Sequence, residues 1–85
     1  MDIAIRPAGP RDLDALDAGL RALSAALGDP HRATRGALEG VLFGPAPLAR
    51  VVVAEGAGIQ GLAMFSPLYS TARGMAGAYV SDLWV

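Results

Sequence analysis

Leu13, Leu16, Leu20, Leu23 and Leu27 step by 3, 4, 3 and 4 residues, the spacing that draws one apolar stripe along an α-helix. Gly9 is a plausible cap before it, and Pro10 suits the first helical position, where an amide hydrogen has no intrahelical partner. Asp12, Asp14 and Asp17 fall in the early turns, where the helix dipole favours negative charge. Gly28 stops the helix and Pro30 prevents its continuation. A second, shorter helix follows Thr34, whose hydroxyl can cap it, with Leu38, Val41 and Leu42 on one face. Gly44-Pro45-Ala46-Pro47 ends it. Gly19, Gly36 and Gly40 weaken these helices by up to about 1 kcal/mol each relative to alanine.

Outside the helices the period changes. Ile3 to Ile5 reads as a short strand ended by Arg6-Pro7. Residues 49–55 are a β-branched run, Gly56-Ala57-Gly58 is a turn, and residues 59–66 form a second strand, so the pair is expected as a hairpin. Pro67 to Gly74 reads as a polar, breaker-rich loop, and a last strand runs from Ala78 to Val85. On that strand, simple alternation puts Val80, Asp82 and Trp84 on one face and Ser81, Leu83 and Val85 on the other. The order is strand, helix, helix and three strands, which predicts an α+β fold with a mostly antiparallel sheet.

Composition narrows the possibilities. With 85 residues the chain is one small domain, and such a chain buries only about 60% of the surface its unfolded form exposes. It has no cysteine, so no disulfide or thiolate metal site can staple it. A hydrophobic fraction of 53% and a mean hydropathy of +0.40 lean toward surface shared with a partner. The basic residues are seven arginines, with no lysine, spread among eight acids for a net charge of −1; no basic stripe suggests nucleic-acid binding. The first residues, Met1-Asp2-Ile3-Ala4-Ile5-Arg6, lack the basic and apolar regions of a signal peptide. No apolar run approaches the roughly 20 residues of a membrane helix, and the expected location is the cytoplasm. The Ala, Gly, Arg and Pro usage suggests a GC-rich bacterial genome.

Asp82 is the leading chemical candidate. A carboxylate flanked by apolar neighbours on a strand needs a partner or solvent; it could bind a substrate ammonium or deprotonate it through a water, or be a structural acid paired to an arginine or an amide. Tyr69-Ser70-Thr71 offers three hydroxyls before that strand, although Ser and Thr are also ordinary turn formers. His31, the single histidine, sits at a helix junction where capping or exposure is the common fate, and without a second His or Cys no metal site is expected. Arg32 and Arg35 read as a solvated face. Ser24 lacks a nucleophile-elbow motif. Gly56-Ala57-Gly58 precedes a strand, so it is no phosphate cradle. Trp84 is expected to pack against a core or interface.

Residues 64–85 carry a resemblance. Phe65-Ser66-Pro67-Leu68-Tyr69-Ser70-Thr71, a short gap with Gly74, and Ala78-Tyr79-Val80-Ser81-Asp82-Leu83-Trp84-Val85 resemble the third and fourth strands of GNAT-type N-acetyltransferases, closest to the diamine (spermidine/spermine-type) branch. There an aromatic and a Tyr-Ser-Thr-like loop precede a strand reading Tyr-Leu-Glu-Asp-Leu-aromatic-Val. Ile5-Arg6-Pro7-Ala8 followed by Asp12-Leu13 is similar to that family's start, and residues 51–61 fit its second-to-third strand hairpin. The likeness spans essentially the whole chain.

The resemblance implies acetyl transfer from acetyl-CoA to a small primary amine, which attacks the thioester directly while an acid or a water takes its proton. Asp82 falls on the acid of the fourth strand. Tyr69, Ser70 and Ser81 would lie on the substrate side, and the backbone of Leu83, Trp84 and Val85 would pair with the pantetheine and polarise the thioester carbonyl. Ser81 stands where the diamine branch carries Glu, which halves the expected acid pair. No residue matches the Arg/Gln-x-x-Gly-x-Gly/Ala loop that holds the pyrophosphate, nor the later strand and tyrosine. Residues 1–85 are therefore expected to be a single, partial acetyltransferase domain, the N-terminal half of a GNAT fold, not competent alone and completed by a separate C-terminal half or a second copy through the last strand. The alternative is a non-catalytic dimerising module derived from the same fold. No nucleic acid, membrane or metal is expected as a partner.

Overall fold

Four strands, β1 (Ala4–Pro7), β2 (Arg50–Gly56), β3 (Gly58–Ser70) and β4 (Met75–Trp84), lie in chain order in one antiparallel sheet. Helices α1 (Leu13–Leu27) and α2 (Arg35–Phe43) are inserted between β1 and β2. The architecture comes from a computed structural model that describes residues 2–85; Met1, part of the segment read above as no signal peptide, lies outside the described residues. The α+β order expected from the sequence is the one observed.

Both helices pack on one face of the sheet. Leu13, Leu16 and Leu20 of α1 and Leu38 and Leu42 of α2 meet Ala49, Val51, Val53 and Leu62 in one buried cluster. The leucine stripe is not buried to its end: exposure rises from 1% at Leu13 and 0% at Leu16 to 64% at Leu27, so the second half of α1 draws away from the sheet. The helix signals behave as their chemistry requires. Gly28 takes a left-handed φ of 72° at the end of α1, the conformation in which a side chain would meet its own backbone. Thr34 Oγ1 accepts the Ala37 amide at 3.1 Å to cap α2.

Asp12 has a larger role than the helix dipole assigned it. Pro10–Asp12 is a 3-10 turn leading into α1, and Asp12 is buried there. Its carboxylate receives the Arg6 guanidinium as a fork, at 2.8 and 2.9 Å, and the Gly9 amide at 2.8 Å. The same guanidinium donates to both oxygens of Glu55 at 2.9 and 3.2 Å. One side chain thus ties β1, the start of α1 and the end of β2 together. The hydrogen bonds from Arg6 and then Gly9 hold the Asp12 carboxyl down from 3.8 to about 2, and Arg6 lowers that of Glu55.

Gly19 marks the closest approach of helix to sheet. A Cβ placed there would lie 3.0 Å from both Leu62 and the Trp84 ring. The weak helix propensity of this glycine is offset by close packing, which a Cβ would press on at Leu62 and Trp84.

The structure departs from the sequence reading at two places in the β3–β4 hairpin. Residues 67–70 are not loop: Pro67, Leu68, Tyr69 and Ser70 continue β3 and pair with Ala78, Gly77, Ala76 and Met75. Pairing with β2 ends at Phe65, so from there β3 has one neighbour only, and a proline without an amide hydrogen is tolerated. The second departure is a bulge in β4. Met64 faces Asp82 while Phe65 faces Val80, leaving Ser81 as the extra residue. Its hydroxyl donates to the Met64 carbonyl at 3.3 Å. Simple alternation grouped Val80 with Asp82 and Trp84; the added residue resets the phase, so Val80 shares the open face with Phe65.

The Asp12 carboxyl lies below its ordinary value in the folded chain, so its contribution to stability is present above pH 3.8 and lost as pH falls through about 2. Urea midpoints measured across that window should drop steeply for the native chain and much less for Asp12→Asn. Replacing Gly40, where a Cβ meets nothing within 4 Å, with alanine should stabilise by about 0.5–1 kcal/mol. Gly19→Ala should instead destabilise, as read from thermal midpoints; a gain equal to that of Gly40→Ala would contradict the packing argument.

Candidate functional site

The bulge turns Asp82 toward the helix side of the sheet, beside Met64. There it lines a cleft of about 200 Å³ together with Leu20 and Ser24 of α1, Leu38 of α2, Met64 of β3, and Pro30, His31, Arg32 and Ala33 of the connection between the helices. The cleft opens because α1 rises from the sheet after Leu20. The connecting segment is held over it by Arg21, whose guanidinium donates to the Ala33 carbonyl at 3.4 Å, and by Ser24 Oγ, which lies 2.9 Å from His31 Nδ1. That bond commits one ring nitrogen of His31 and leaves Nε2 as the free one.

Charge at the cleft is arranged differently from charge elsewhere. Among the described residues, the other partly or fully buried acids are satisfied: Asp12 and Glu55 by Arg6, and Asp17 by Arg21 at 3.0 Å. Arg35, read from the sequence as solvated, pairs with Asp14 at 2.6 Å across the two helices. Half-buried Asp82 has no hydrogen bond or ion pair among the described residues, and neither has Arg32 at the rim. A half-buried carboxylate without a protein partner is available to bind or deprotonate a cationic ligand.

The other residues singled out from the sequence are spread along β3 and β4. Ser81 is the bulge residue, its hydroxyl engaged with backbone. Tyr69 is 66% exposed, and Ser70 Oγ accepts the Arg73 amide at 3.2 Å in the turn closing the hairpin. Both lie five to six positions beyond Met64, the partner of Asp82, or roughly 17–20 Å along the strand. They are not brought to the cleft. Leu83, Trp84 and Val85 line a second, apolar hollow of about 150 Å³ with Ile5, Val52 and Ala63. Trp84 also packs against the core cluster, as expected. β4 is the edge of the sheet, so the outer row of its backbone amides and carbonyls has no strand partner among the described residues.

The sequence alone marks no functional role for His31, Arg32 or Ser24. Their only local signal is a short polar segment after a helix stop, and its passage over Asp82 is a tertiary fact. Among the described residues no group of His, Asp and Glu could hold a metal ion. None of the helices is long and apolar enough to cross a membrane.

The fold of this chain has been seen before. A GNAT family acetyltransferase of Staphylococcus aureus subsp. aureus is similar at a TM-score of 0.68 and 17% identity, over 100% of this chain and 63% of that one. The fold is GNAT-like. An integron cassette protein from the mobile metagenome of V. cholerae is similar at a TM-score of 0.67 and 20% identity, over 100% of this chain and 56% of that one. The chain thus spans 63% and 56% of the lengths of these two structures, and at such identities the likeness is one of fold. No family model and no curated protein matches the sequence.

Unpaired charges at the cleft and paired charges at the Arg6 junction should respond oppositely to mutation. Asp82→Asn and Arg32→Ala should leave the urea midpoint unchanged or raised. Asp12→Asn, which breaks a buried hydrogen-bonded pair, should lose about 2 kcal/mol.

Proposed function

We propose that this chain supplies the amine-binding side and the cosubstrate-binding strand of an N-acetyltransferase that uses acetyl-CoA and a small primary amine. The observation that carries the reading is the unpartnered carboxylate of Asp82, held in a cleft beside the free edge of β4 on a GNAT-like fold. Asp82 would hold the incoming ammonium and accept its proton, directly or through a water, with His31 in the same cleft as the next acceptor. The free amine then attacks the acetyl carbonyl, and the new C–N bond forms as the C–S bond breaks. The second proton, shed by the nitrogen as the amide forms, passes to the leaving thiolate, while the first stays with Asp82 or leaves to water. The residues present suit the cosubstrate's acyl arm: the outer amides of Leu83 to Val85 can donate to a carbonyl, and the hollow at Leu83 and Val85 is apolar. When bound, acetyl-CoA supplies the activated thioester.

Two finer readings belong to the same proposal. The likeness of residues 64–85 to the diamine branch supports a primary amine, but Ser81 offers no second carboxylate for a second ammonium. The loop for the pyrophosphate would lie outside these 85 residues, in a C-terminal half that pairs along β4. A dimerising, non-catalytic module is the second reading, favoured by the exposed apolar face that carries Ile5, Leu83 and Val85.

In the intact protein, amine-dependent release of free thiol from acetyl-CoA is expected, and Asp82→Ala should lower kcat/KM about 100-fold or more, the usual worth of a positioned base. Unchanged turnover in Asp82→Ala would reject the role of that carboxylate. Neither thiol release nor acetyl-CoA binding, together with a dimer in sedimentation, would favour the module.

A further inference from the structure

The charges around the cleft say more about the acceptor than the fold does. Asp82 and Arg32 are the charged side chains that line it. They pair neither with each other nor with any other described residue, although arginines elsewhere in the chain reach carboxylates readily, at Arg6, Arg21 and Arg35. The walls between them, Leu20, Leu38, Met64 and Pro30, are apolar or without a donor. One small cavity therefore presents a half-buried anion at its floor, an always-charged planar cation at its rim, and a short apolar span between.

We infer that the acceptor is an amine that carries its own carboxylate, a small amino acid, with its ammonium on Asp82 and its carboxylate on Arg32. This rests on the amine-binding side of the function proposed above and narrows it. A guanidinium matches a carboxylate as a two-pronged donor, so the acid group gains at the rim where a second ammonium would meet like charge. The volume of about 200 Å³ lies below the range of roughly 300–1,000 Å³ typical of drug-sized ligands, which suits a short side chain. His31, fixed by Ser24, lines the same cleft. No other ionisable side chain lines the cleft.

The test is a nuclear magnetic resonance titration of the intact protein, without acetyl-CoA, using L-alanine, L-alaninamide and putrescine. L-Alanine is expected to shift the backbone amides of His31, Arg32 and Asp82 with a Kd at least tenfold below that of L-alaninamide or putrescine. Arg32→Ala should bring L-alanine to the L-alaninamide level, and Arg32→Lys should recover part of the difference. Arg32 is exposed and makes no hydrogen bond or ion pair among the described residues, and circular dichroism of each variant checks that it folds. Equal or tighter binding of L-alaninamide or putrescine, an unchanged preference in Arg32→Ala, or no response to any of the three overturns the inference. Thiol release with putrescine and none with L-alanine would also overturn it while sustaining acetyl transfer. L-Alanine binding at the cleft with no thiol release from acetyl-CoA would sustain the inference and defeat the transferase reading.

Discussion

The Arg6 guanidinium is the junction on which the remainder of the architecture depends. It leaves β1, forks onto Asp12 at the entry to α1 and reaches Glu55 at the end of β2, so elements far apart in sequence are fixed against one another at one corner. Asp12 is buried only because each of its acceptors is used, by Arg6 and by the Gly9 amide. An unpaired carboxylate in that position would disfavour the fold. The direction in which α1 leaves this corner decides what lies beneath it.

From the corner, α1 crosses the sheet with Leu13, Leu16 and Leu20 buried on its inner face and meets β3 and β4 at Gly19, against Leu62 and Trp84. Beyond Leu20 it lifts away. The lift exposes Leu27, brings the connection to α2 over the sheet, and leaves the cleft in which Asp82, His31 and Arg32 converge. The bulge at Ser81 completes the geometry, because without the extra residue the phase of β4 could not put Asp82 and Trp84 under the helices and Val80 on the far side. Fold-holding charges are satisfied inside the protein, and the charges at the cleft are left for something else, the division expected where a site gives up local stability for function.

The sheet's second face has a different character. Ile5 is 70% exposed, Leu83 63% and Val85 94%, and these residues lie on the side away from α1 and α2, Ile5 on the edge strand β1 and Leu83 and Val85 at the end of the opposite edge strand β4. A contiguous apolar surface of this kind favours association, and an open strand edge offers backbone pairing in the same place. Cleft and open face are therefore the two sides of one strand, with polar chemistry toward the helices and apolar surface away from them.

Local chemistry was enough to read the helices and the β2–β3 hairpin from the residues. The leucine spacing of α1, the stop at Gly28, the Thr34 cap and the glycine turn before β3 each act within a few residues, and physics at that range is written in neighbouring side chains. Asp82 was legible as an acid in need of a partner for the same reason. The continuation of β3 through Pro67 was not, since a proline is tolerated there only because β2 has already ended. Nor was the bulge at Ser81, which follows from the register with β3 and reverses the face assigned to Val80. Membership of the cleft was decided by tertiary structure alone: His31 and Arg32 stand at a helix junction like many polar residues, and only the packing of α1 on the sheet, with the bonds from Arg21 and Ser24 to the connection, brings them beside Asp82.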